Sequence, residues 1–330
     1  MKSGKISESV LMRSVLRKIK TEREEVVCGA GIGVDCAVLS FHEDEESVFS
    51  TNPVSAPADM VCVYAVHRAL NNLVAAGAEP VGILISAMLP EELDEKALQD
   101  MMMQAENICG QYHVQIAGGH TEVSGAVNRP VLTVTGIGKR RKGDAITRGV
   151  KPGQDVVVSK WIGLDGTSRI AREHGSALLT RYPARMIEEA AGFEQFFSVI
   201  PEAATARKSG VCGTHDVSQG GIFGALWELA KGAGVGLEID LRKLPVRQET
   251  IEICEFFDLN PYELSSEGCL LMTTGDGNGL VAALQKENIP AVVVGKITDS
   301  NDRVLFNGEE KRFLEPPKTD ALYKIGKEEE

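Results

Sequence analysis

Long apolar runs are missing from this sequence. No window approaches the roughly 20 apolar residues that are needed to cross a bilayer. Residues 1–20 are charged throughout and lack the apolar core of a signal peptide. The chain is therefore expected to be cytoplasmic, with no membrane as a partner.

Paired cysteines are missing too. The seven cysteines are odd in number, and no two of them have Cys-x-x-Cys spacing. The odd number of cysteines and the lack of Cys-x-x-Cys pairs indicate neither a disulfide framework nor a zinc ribbon. Most of the cysteines stand in apolar runs such as Gly268–Leu271, where a thiol acts as a small buried hydrophobe in a reducing compartment.

Basic residues are outnumbered by acidic ones. The sequence has 35 lysines and arginines and 47 aspartates and glutamates, which gives a net charge of −12. This charge repels polyanions, so no nucleic-acid partner is expected. A small phosphate-bearing ligand stays compatible with it, because backbone amides, a helix N-terminus or a bound cation hold phosphate locally.

Two common nucleotide-binding signatures are also absent. No Gly-Lys-Ser/Thr occurs, which excludes a P-loop. The glycine run Gly29–Gly33 is followed by Asp35 and the strand-like Ala37–Leu39 rather than by a helix, so it is not a dinucleotide fingerprint. Two interpretations remain: a turn whose backbone approaches a phosphate beside one carboxylate, or an ordinary turn.

A second glycine-bearing segment, Ala117–Glu122, follows a predicted strand. Its two glycines followed by His120, Thr121 and Glu122 suit an anion-binding turn with metal or proton-transfer groups. A hairpin turn with a surface histidine explains the same pattern.

A third segment, Thr214–Gly221, is predicted to be a loop that opens the apolar helix 222–230. Gly220 and Gly221 would then present free N–H groups and the positive end of the helix dipole to a phosphate, with Asp216 beside a magnesium ion. Alternatively, Asp216 or Ser218 serves only as an N-cap.

The 330 residues suffice for two domains, and a polar stretch at 140–153 predicts a boundary between residues 1–150 and 151–330. A strand at 47–51 is expected to end at Asn52-Pro53, and the tail from Glu315 is expected to fray. The apolar periodicity further predicts strands at 37–39, 81–89, 131–137, 155–159, 235–239, 269–274 and 291–297. It predicts helices at 7–20, 59–76, 94–112, 222–231, 247–257 and 278–287.

In this order and at these separations, the three glycine-bearing segments resemble the AIR synthase and hydrogenase maturation superfamily, the PurM-like proteins. This superfamily includes thiamine-monophosphate kinase, selenophosphate synthetase and the HypE dehydratase, and the likeness is greatest to HypE-like proteins. The residues that carry the resemblance are Gly31–Val38, Asn71–Pro80, Gly118–Glu122, Lys160–Thr167, His215–Gly221 and Ser265–Gly268.

The resemblance implies an α/β N-terminal domain whose strands join those of a second subunit in a β-barrel, and a C-terminal α+β domain. It implies a homodimer that holds ATP and magnesium in the N-terminal domain. The implied cofactor-binding residues are Gly29, Gly31, Gly33, Asp35, Asn52, Asn72, Gly118, Gly119, Thr121, Gly220 and Gly221. Asp216, His120 and Glu122 are implied to be catalytic, and Asp35, Glu122 and Asp216 to bind the metal.

Several positions depart from the superfamily pattern. Val34, Asn52 and Asn72 stand where aspartates are usual, and His120 stands where HypE has an aspartate. An amide gives magnesium an oxygen without its charge, so these changes are expected to weaken metal and ATP binding unless Glu122 compensates. The chain ends in Lys327–Glu330 rather than in cysteine, so HypE chemistry on its own tail is not expected.

Two hypotheses about function follow. In the first, the protein is an ATP-dependent enzyme, related to synthases and kinases, that transfers a phosphoryl group to an oxygen of a small or protein-borne substrate. In the second, it is a non-catalytic dimeric binding or assembly protein with weakened Mg-ATP binding.

Overall fold

The computed structural model describes residues 1–144, 149–316 and 319–325. The chain forms two compact units: residues 1–74 with 78–144, and residues 75–77 with 145–330. Part of the predicted junction, residues 145–148, and parts of the tail, 317–318 and 326–330, lie outside the described residues. Within the described chain, no helix combines the length and apolar character needed to cross a membrane.

The first unit is built on a mixed sheet of order β1-β6-β5-β7-β4, beside a small hairpin of β2 and β3. Its helices are α1 (Glu8–Val10), α2 (Val61–Ala75) and α3 (Glu95–Gln111). Its strands are β1 (Gly4–Lys5), β2 (Val26–Cys28), β3 (Val38–Leu39), β4 (Glu45–Ser55), β5 (Glu79–Leu89), β6 (Gln115–Val123) and β7 (Val131–Arg141).

Glycines let α2 approach one face of this sheet closely. A Cβ added at Gly136 of β7 would lie 3.0 Å from Leu73 Cδ1 and 3.1 Å from the Ala69 carbonyl oxygen. The opposite face of β4, β7, β5 and β6, here called the open face, exposes alternate side chains. Phe49 is 65% and Met88 40% exposed there, which is unusual for large apolar residues in the middle of strands.

The second unit contains a sheet of order β14-β13-β10-β12-β8-β11-β9. Its strands are β8 (Asp155–Ser159), β9 (Gly213–Val217), β10 (Gly236–Asp240), β11 (Cys269–Thr274), β12 (Ala291–Thr298), β13 (Arg303–Asn307) and β14 (Glu310–Phe313). Its helices are α4 (Leu164–Glu173), α5 (Gly175–Leu178), α6 (Ala184–Ala191), α7 (Ile200–Lys208), α8 (Gly221–Ala233), α9 (Gln248–Phe256) and α10 (Gly277–Lys286). Helix α8 packs its apolar face, including Ile222 and Leu226, onto the core shared with this sheet.

Two of the sequence predictions about turns and strand ends are wrong in the first unit. Asn52-Pro53 does not end its strand, because β4 is an edge strand whose one neighbour is β7, and an edge tolerates a residue without an N–H. The segment Ala117–Glu122 is not a turn, because it lies within β6 and pairs with β5.

Two further predictions are corrected. The N-terminal helix breaks at Val10 into a π-turn, Leu11–Val15, and a 3-10 turn, Leu16–Lys18. The first part of the loop predicted at Thr214–Gly221 is instead in strand β9, because Gly213–Val217 pair in register with β11 from Cys269 to Thr273. The partner strand is far away in sequence, so local composition does not predict the pairing.

Candidate functional site

The first glycine segment forms the turn between β2 and β3. The two strands pair antiparallel, with Val26 opposite Leu39 and Cys28 opposite Val38. Gly33 adopts φ of +75°, a conformation that glycine reaches without strain. The turn therefore keeps its backbone and Asp35 at the surface, where a ligand can reach both.

This glycine turn (residues 29–35) borders two cavities of the first unit. The inner cavity, about 580 Å³, lies between the N-terminal segment, α3 and the sheet. The outer cavity, about 690 Å³, lies over the open face. Both cavities are also bordered by Gly118, Gly119 and His120 of β6, so the structure brings two of the three glycine segments together. Of the other predicted residues, Gly31, Gly33 and Thr121 line the inner cavity, Gly29 lines the outer one, and Asp35 lines both.

Gly119 is required by the close approach of β6 to β5. Its φ is +150°, and an added Cβ would lie 2.0 Å from the Ile85 carbonyl oxygen. No other residue type fits that space without moving a strand. The result is a section of bare backbone at the floor of both cavities, where a ligand can come close to the main chain.

Alternation along β6 sends its polar side chains to opposite faces. His120 and Glu122 stand on the open face, opposite Ser86 and Met88 of β5, whereas Thr121 points towards the inner cavity. His120 Nε2 and Glu122 Oε2 are 3.4 Å apart, and about half of each side chain is exposed. A contact this exposed stabilises the fold little, so both side chains are accessible to a ligand.

Asn52 and Asn72 meet on the helix-covered side of the sheet. Each donates a hydrogen bond from Nδ2 to Ser50 Oγ, at 3.2 Å for Asn52 and 2.8 Å for Asn72. Among the described residues that line the inner and outer cavities, neither asparagine is present. The structure thus brings the two asparagines to each other, but not to the glycine turn.

The third segment belongs to the second unit. Asp216 lies in β9 and is 9% exposed. The Gly220 amide donates to Asp320 Oδ2 at 2.8 Å, and the Gly221 amide donates to the Ser218 carbonyl at 3.1 Å. The two amides that the sequence offered to a phosphate are therefore hydrogen-bonded within the chain.

His215, beside Asp216, forms an ion pair with helix α8. Its Nε2 lies 3.2 Å from Glu228 Oε2, and its Nδ1 lies 2.7 Å from the Asp216 carbonyl oxygen. Burial lowers the pKa of His215, but the hydrogen bond to Glu228 and the charge of Asp216 outweigh it, so the pKa is raised. The histidine is thus tied to the fold of this unit.

We expect Glu228→Gln to remove a stabilisation that depends on pH. Because the folded-state pKa of His215 is raised, the stabilisation is complete below the unfolded pKa of about 6.5 and is lost as pH rises through the folded value. Urea unfolding of both proteins should show a larger difference in free energy in mild acid than in alkali. The exposed Glu238→Gln serves as the control, and a difference independent of pH would contradict the assignment.

Lys5 lines the inner cavity, which the sequence patterns did not reveal. Strand β1 pairs antiparallel with β6 and places Lys5 opposite Glu122. Among the described residues that line the inner cavity, Lys5 is the one lysine or arginine. A single lysine in a charged N-terminus carries no local signal, and only the pairing of β1 with β6 brings it to the glycine turn.

The donor set favours a phosphate more clearly than a metal. Bare backbone at Gly119, the amides of the glycine turn and Lys5 all suit anionic oxygens. No group of three or more His, Cys, Asp or Glu side chains suited to a metal ion occurs among the described residues. Asp35 is the carboxylate that borders both cavities, so a magnesium ion there would depend on phosphate oxygens for its other ligands.

Comparison with known proteins identifies the family. Residues 33–139 match the N-terminal domain of the AIR synthase related proteins, and residues 151–306 match their C-terminal domain. The chain belongs to the AIR synthase related family. The family and the two-domain mixed α/β fold inferred from the motifs are thereby confirmed, while the intersubunit barrel stays a prediction.

Individual members of the family extend the likeness over most of the chain. The carbamoyl dehydratase HypE of Rhodobacter capsulatus is 26% identical over 290 residues, covering 86% of this chain and 82% of the relative. The structure of Escherichia coli HypE, a hydrogenase maturation protein, covers 96% of this AIR synthase related chain and 98% of its own, with 20% identity and a TM-score of 0.78. A HypE structure in complex with ATP covers 95% of each chain, with 20% identity and a TM-score of 0.76.

Proposed function

We propose that this AIR synthase related protein binds ATP at the glycine turn and transfers its terminal phosphoryl group to an oxygen of a small or protein-borne substrate. The observation that carries the proposal is the meeting of Gly29–Asp35 with Gly118 and Gly119 at the same two cavities. The ATP complex of a HypE protein with the same fold supports it.

Phosphoryl transfer needs in-line positioning and neutralised phosphate charge. In this proposal, amides of the glycine turn and Lys5 hold the phosphates, and Asp35 holds magnesium. Magnesium, when bound, would neutralise charge on the transferred group. Glu122 orients His120, whose ring accepts the proton of the attacking hydroxyl, because such a base must lie within hydrogen-bonding reach of it. Asp216, Gly220 and Gly221 belong to the second unit, and their role in nucleotide binding stays a prediction.

Calorimetric titration with ATP, with and without magnesium, tests the binding step. Binding at or below millimolar nucleotide, followed by release of ADP when substrate is supplied, is the expected result for the enzyme. No heat at millimolar ATP in either condition would sink the proposal. Binding without any ADP release from a range of hydroxyl and carboxyl acceptors would favour the second hypothesis.

A specific observation favours that second hypothesis, a non-catalytic dimeric binding or assembly protein. Asn52 and Asn72 donate to the same hydroxyl of Ser50, so two positions where the family resemblance implies acids carry neutral amides here. A site with fewer carboxylates binds magnesium less tightly. Such a protein would bind nucleotide without turning it over.

We expect Lys5→Met to weaken ATP binding about tenfold, equivalent to about 1.4 kcal/mol. A charge at about 4 Å contributes on the order of 4 kcal/mol at an effective dielectric of about 20, but solvent at this exposed side chain screens most of it. The loss should appear both with magnesium and with a chelator. Lys2→Met, a neighbouring exposed lysine, is the matched control, and equal affinities of the two variants would remove Lys5 from the site.

We further propose that the open face joins the same face of a second copy in the predicted intersubunit barrel. Phe49 and Met88 are large apolar side chains exposed there, and β4 is an edge strand of this sheet. Burial of exposed apolar area and of strand edges drives such association.

We therefore expect Phe49→Glu to convert a dimer into a monomer in analytical ultracentrifugation. The free energy needed to bury a charged side chain in the middle of this face exceeds the free energy gained by association of the two copies. Phe313→Glu is the matched control, because Phe313 is 60% exposed but lies in the second unit. A wild-type protein that sediments as a monomer at all concentrations would refute the dimer.

A further inference from the structure

The inner cavity of the first unit extends from the glycine turn into the layer between the sheet and α3. Its volume of about 580 Å³ lies within the range of small-molecule sites in proteins. Protein interiors otherwise contain few voids larger than a water molecule. A space of this size beside the proposed nucleotide site has room for a second ligand.

Apolar side chains form the deep wall of this cavity. Leu98, Met101 and Met102 come from α3, Ile85 and Ala87 come from β5, and each of them is buried. Strands β5 and β6 pair with each other along this wall, so their backbone groups are used within the sheet. Apolar cavities stay dry and take up apolar ligands. The deep part therefore suits a hydrocarbon group.

The N-terminal segment supplies a further apolar wall. Ser14 Oγ donates to Glu95 Oε1 at 2.7 Å, and Thr21 Oγ1 donates to Glu106 Oε1 at 2.7 Å. These bonds fasten the segment to α3 on both sides of the residues that line the cavity between them, which are Val15, Leu16 and Ile19. The cavity is thus a fixed part of the fold rather than a gap under a loose end.

Polar side chains gather at one end of the cavity. Among the described residues that line it, those with a charged, imidazole or hydroxyl side chain are Lys5, Glu8, Asp35, His120 and Thr121. Asp35 and His120 also border the outer cavity, so this polar end lies at the glycine turn. One lysine beside two acids gives a charged group no clear advantage over a neutral one. A neutral hydroxyl fits, because the Thr121 hydroxyl can donate to it or accept from it.

The adenine base of ATP suits the deep wall poorly. Its ring nitrogens and its amino group need hydrogen-bond partners when they are buried. Apart from hydrocarbon, the deep wall offers the thioethers of Met101 and Met102 and the thiol of Cys62, which are weak hydrogen-bonding groups. A hydrocarbon body loses no hydrogen bond there, whereas a purine would leave polar atoms unpaired.

We propose that the inner cavity binds the apolar body of the acceptor substrate, a neutral aliphatic or aromatic alcohol whose hydroxyl lies at the polar end beside the glycine turn. This inference rests on the phosphoryl transfer of the proposed function. In that step the alcohol oxygen forms a bond to the γ-phosphorus, and the bond from that phosphorus to the β–γ bridging oxygen breaks with its electron pair leaving on ADP. The hydroxyl proton passes to His120, and the product is a phosphate monoester.

Titration with 1-hexanol in the absence of nucleotide tests the pocket by itself, with the methyl groups of Met101 and Met102 followed by NMR. We expect both methyl signals to shift. Leu16→Trp should weaken hexanol binding about tenfold or more, because the added bulk occupies the space of the ligand. Met12→Trp is the matched control, since Met12 belongs to the same segment, is exposed and does not line the cavity. It should bind hexanol like the wild type.

Ala87→Leu fills the cavity from β5 instead and should weaken hexanol binding in the same way. It decides the matter if Leu16→Trp does not fold. Equal hexanol affinities of the wild type and a folded filling variant would overturn the proposal, as would a titration that leaves both methyl signals unmoved. Displacement of hexanol by adenosine would overturn it too, because the cavity would then hold the base.

Formation of hexyl phosphate from hexanol and ATP tests the acceptor role. We expect the product with the wild type and with Met12→Trp, and a raised KM for hexanol with Leu16→Trp. Binding of both ligands without any product would overturn the acceptor role. If hexanol binds but ATP does not, the proposed function fails and the pocket stands. If ATP binds but hexanol does not, the pocket fails alone.

Discussion

Gly119→Ala should abolish stable folding of the first unit. The added Cβ would lie 2.0 Å from the Ile85 carbonyl oxygen and 2.9 Å from its nitrogen, both in the main chain of the neighbouring strand. Relief requires β5 and β6 to separate, which breaks the ladder at the floor of both cavities. We expect a loss of more than about 4 kcal/mol, measured as the urea midpoint or as loss of soluble protein.

Gly125→Ala is the control for this substitution. The nearest atoms to its added Cβ are 3.8 Å away, in the flexible side chain of Glu91, so we expect a change within about 0.5 kcal/mol. If Gly119→Ala unfolded at the same urea concentration as Gly125→Ala, the close approach of the two strands would be wrong.

Lys160→Met should cost the second unit about 3–5 kcal/mol, because it leaves a buried carboxylate without its cation. Lys160 Nζ lies 2.7 Å from Glu202 Oε1, and it also donates to the Phe196 carbonyl at 2.7 Å and the Ser198 carbonyl at 2.6 Å. Burial raises the pKa of Glu202 even with the lysine present. Chemical unfolding of the isolated variant measures the loss.

Two comparisons separate this effect from that of an ordinary ion pair. Adding Glu202→Leu to Lys160→Met should restore part of the stability, since the stranded charge is then gone. Arg185→Ala removes an exposed pair with Glu189 and should change stability by less than about 1 kcal/mol. A Lys160→Met variant no less stable than Arg185→Ala would contradict the buried role.

Local signals sufficed where an element depends on its own residues. The pattern from Asp94 to Tyr112 predicted a helix, and α3 runs from Glu95 to Gln111 with Asp94 accepting the Ala97 N–H at 2.7 Å. Periodicity and a capping side chain lie within the helix that they define. The long apolar strand β5 was predicted to within two residues at its start for the same reason.

Local signals failed where a strand is made by its neighbours. Glycine and polar residues at 117–122 and 213–217 are typical of turns, yet they lie in β6 and β9 because β5 and β11 pair with them. For β6 the glycines serve the close approach to β5 rather than a reversal of the chain. Composition alone does not distinguish these two uses of glycine.

By itself, the sequence determined which family this protein belongs to, since the order and spacing of short motifs are properties of the chain that need no folding. Tertiary structure alone decided which of those residues meet. Lys5 reaches the glycine turn through the pairing of β1 with β6, and the Gly220 amide is held by Asp320. The strand pairing joins positions 5 and 122, and the hydrogen bond joins positions 220 and 320, so both are distant in sequence. Such contacts form only when distant parts of the chain meet in the folded protein, so a short stretch of sequence does not predict them.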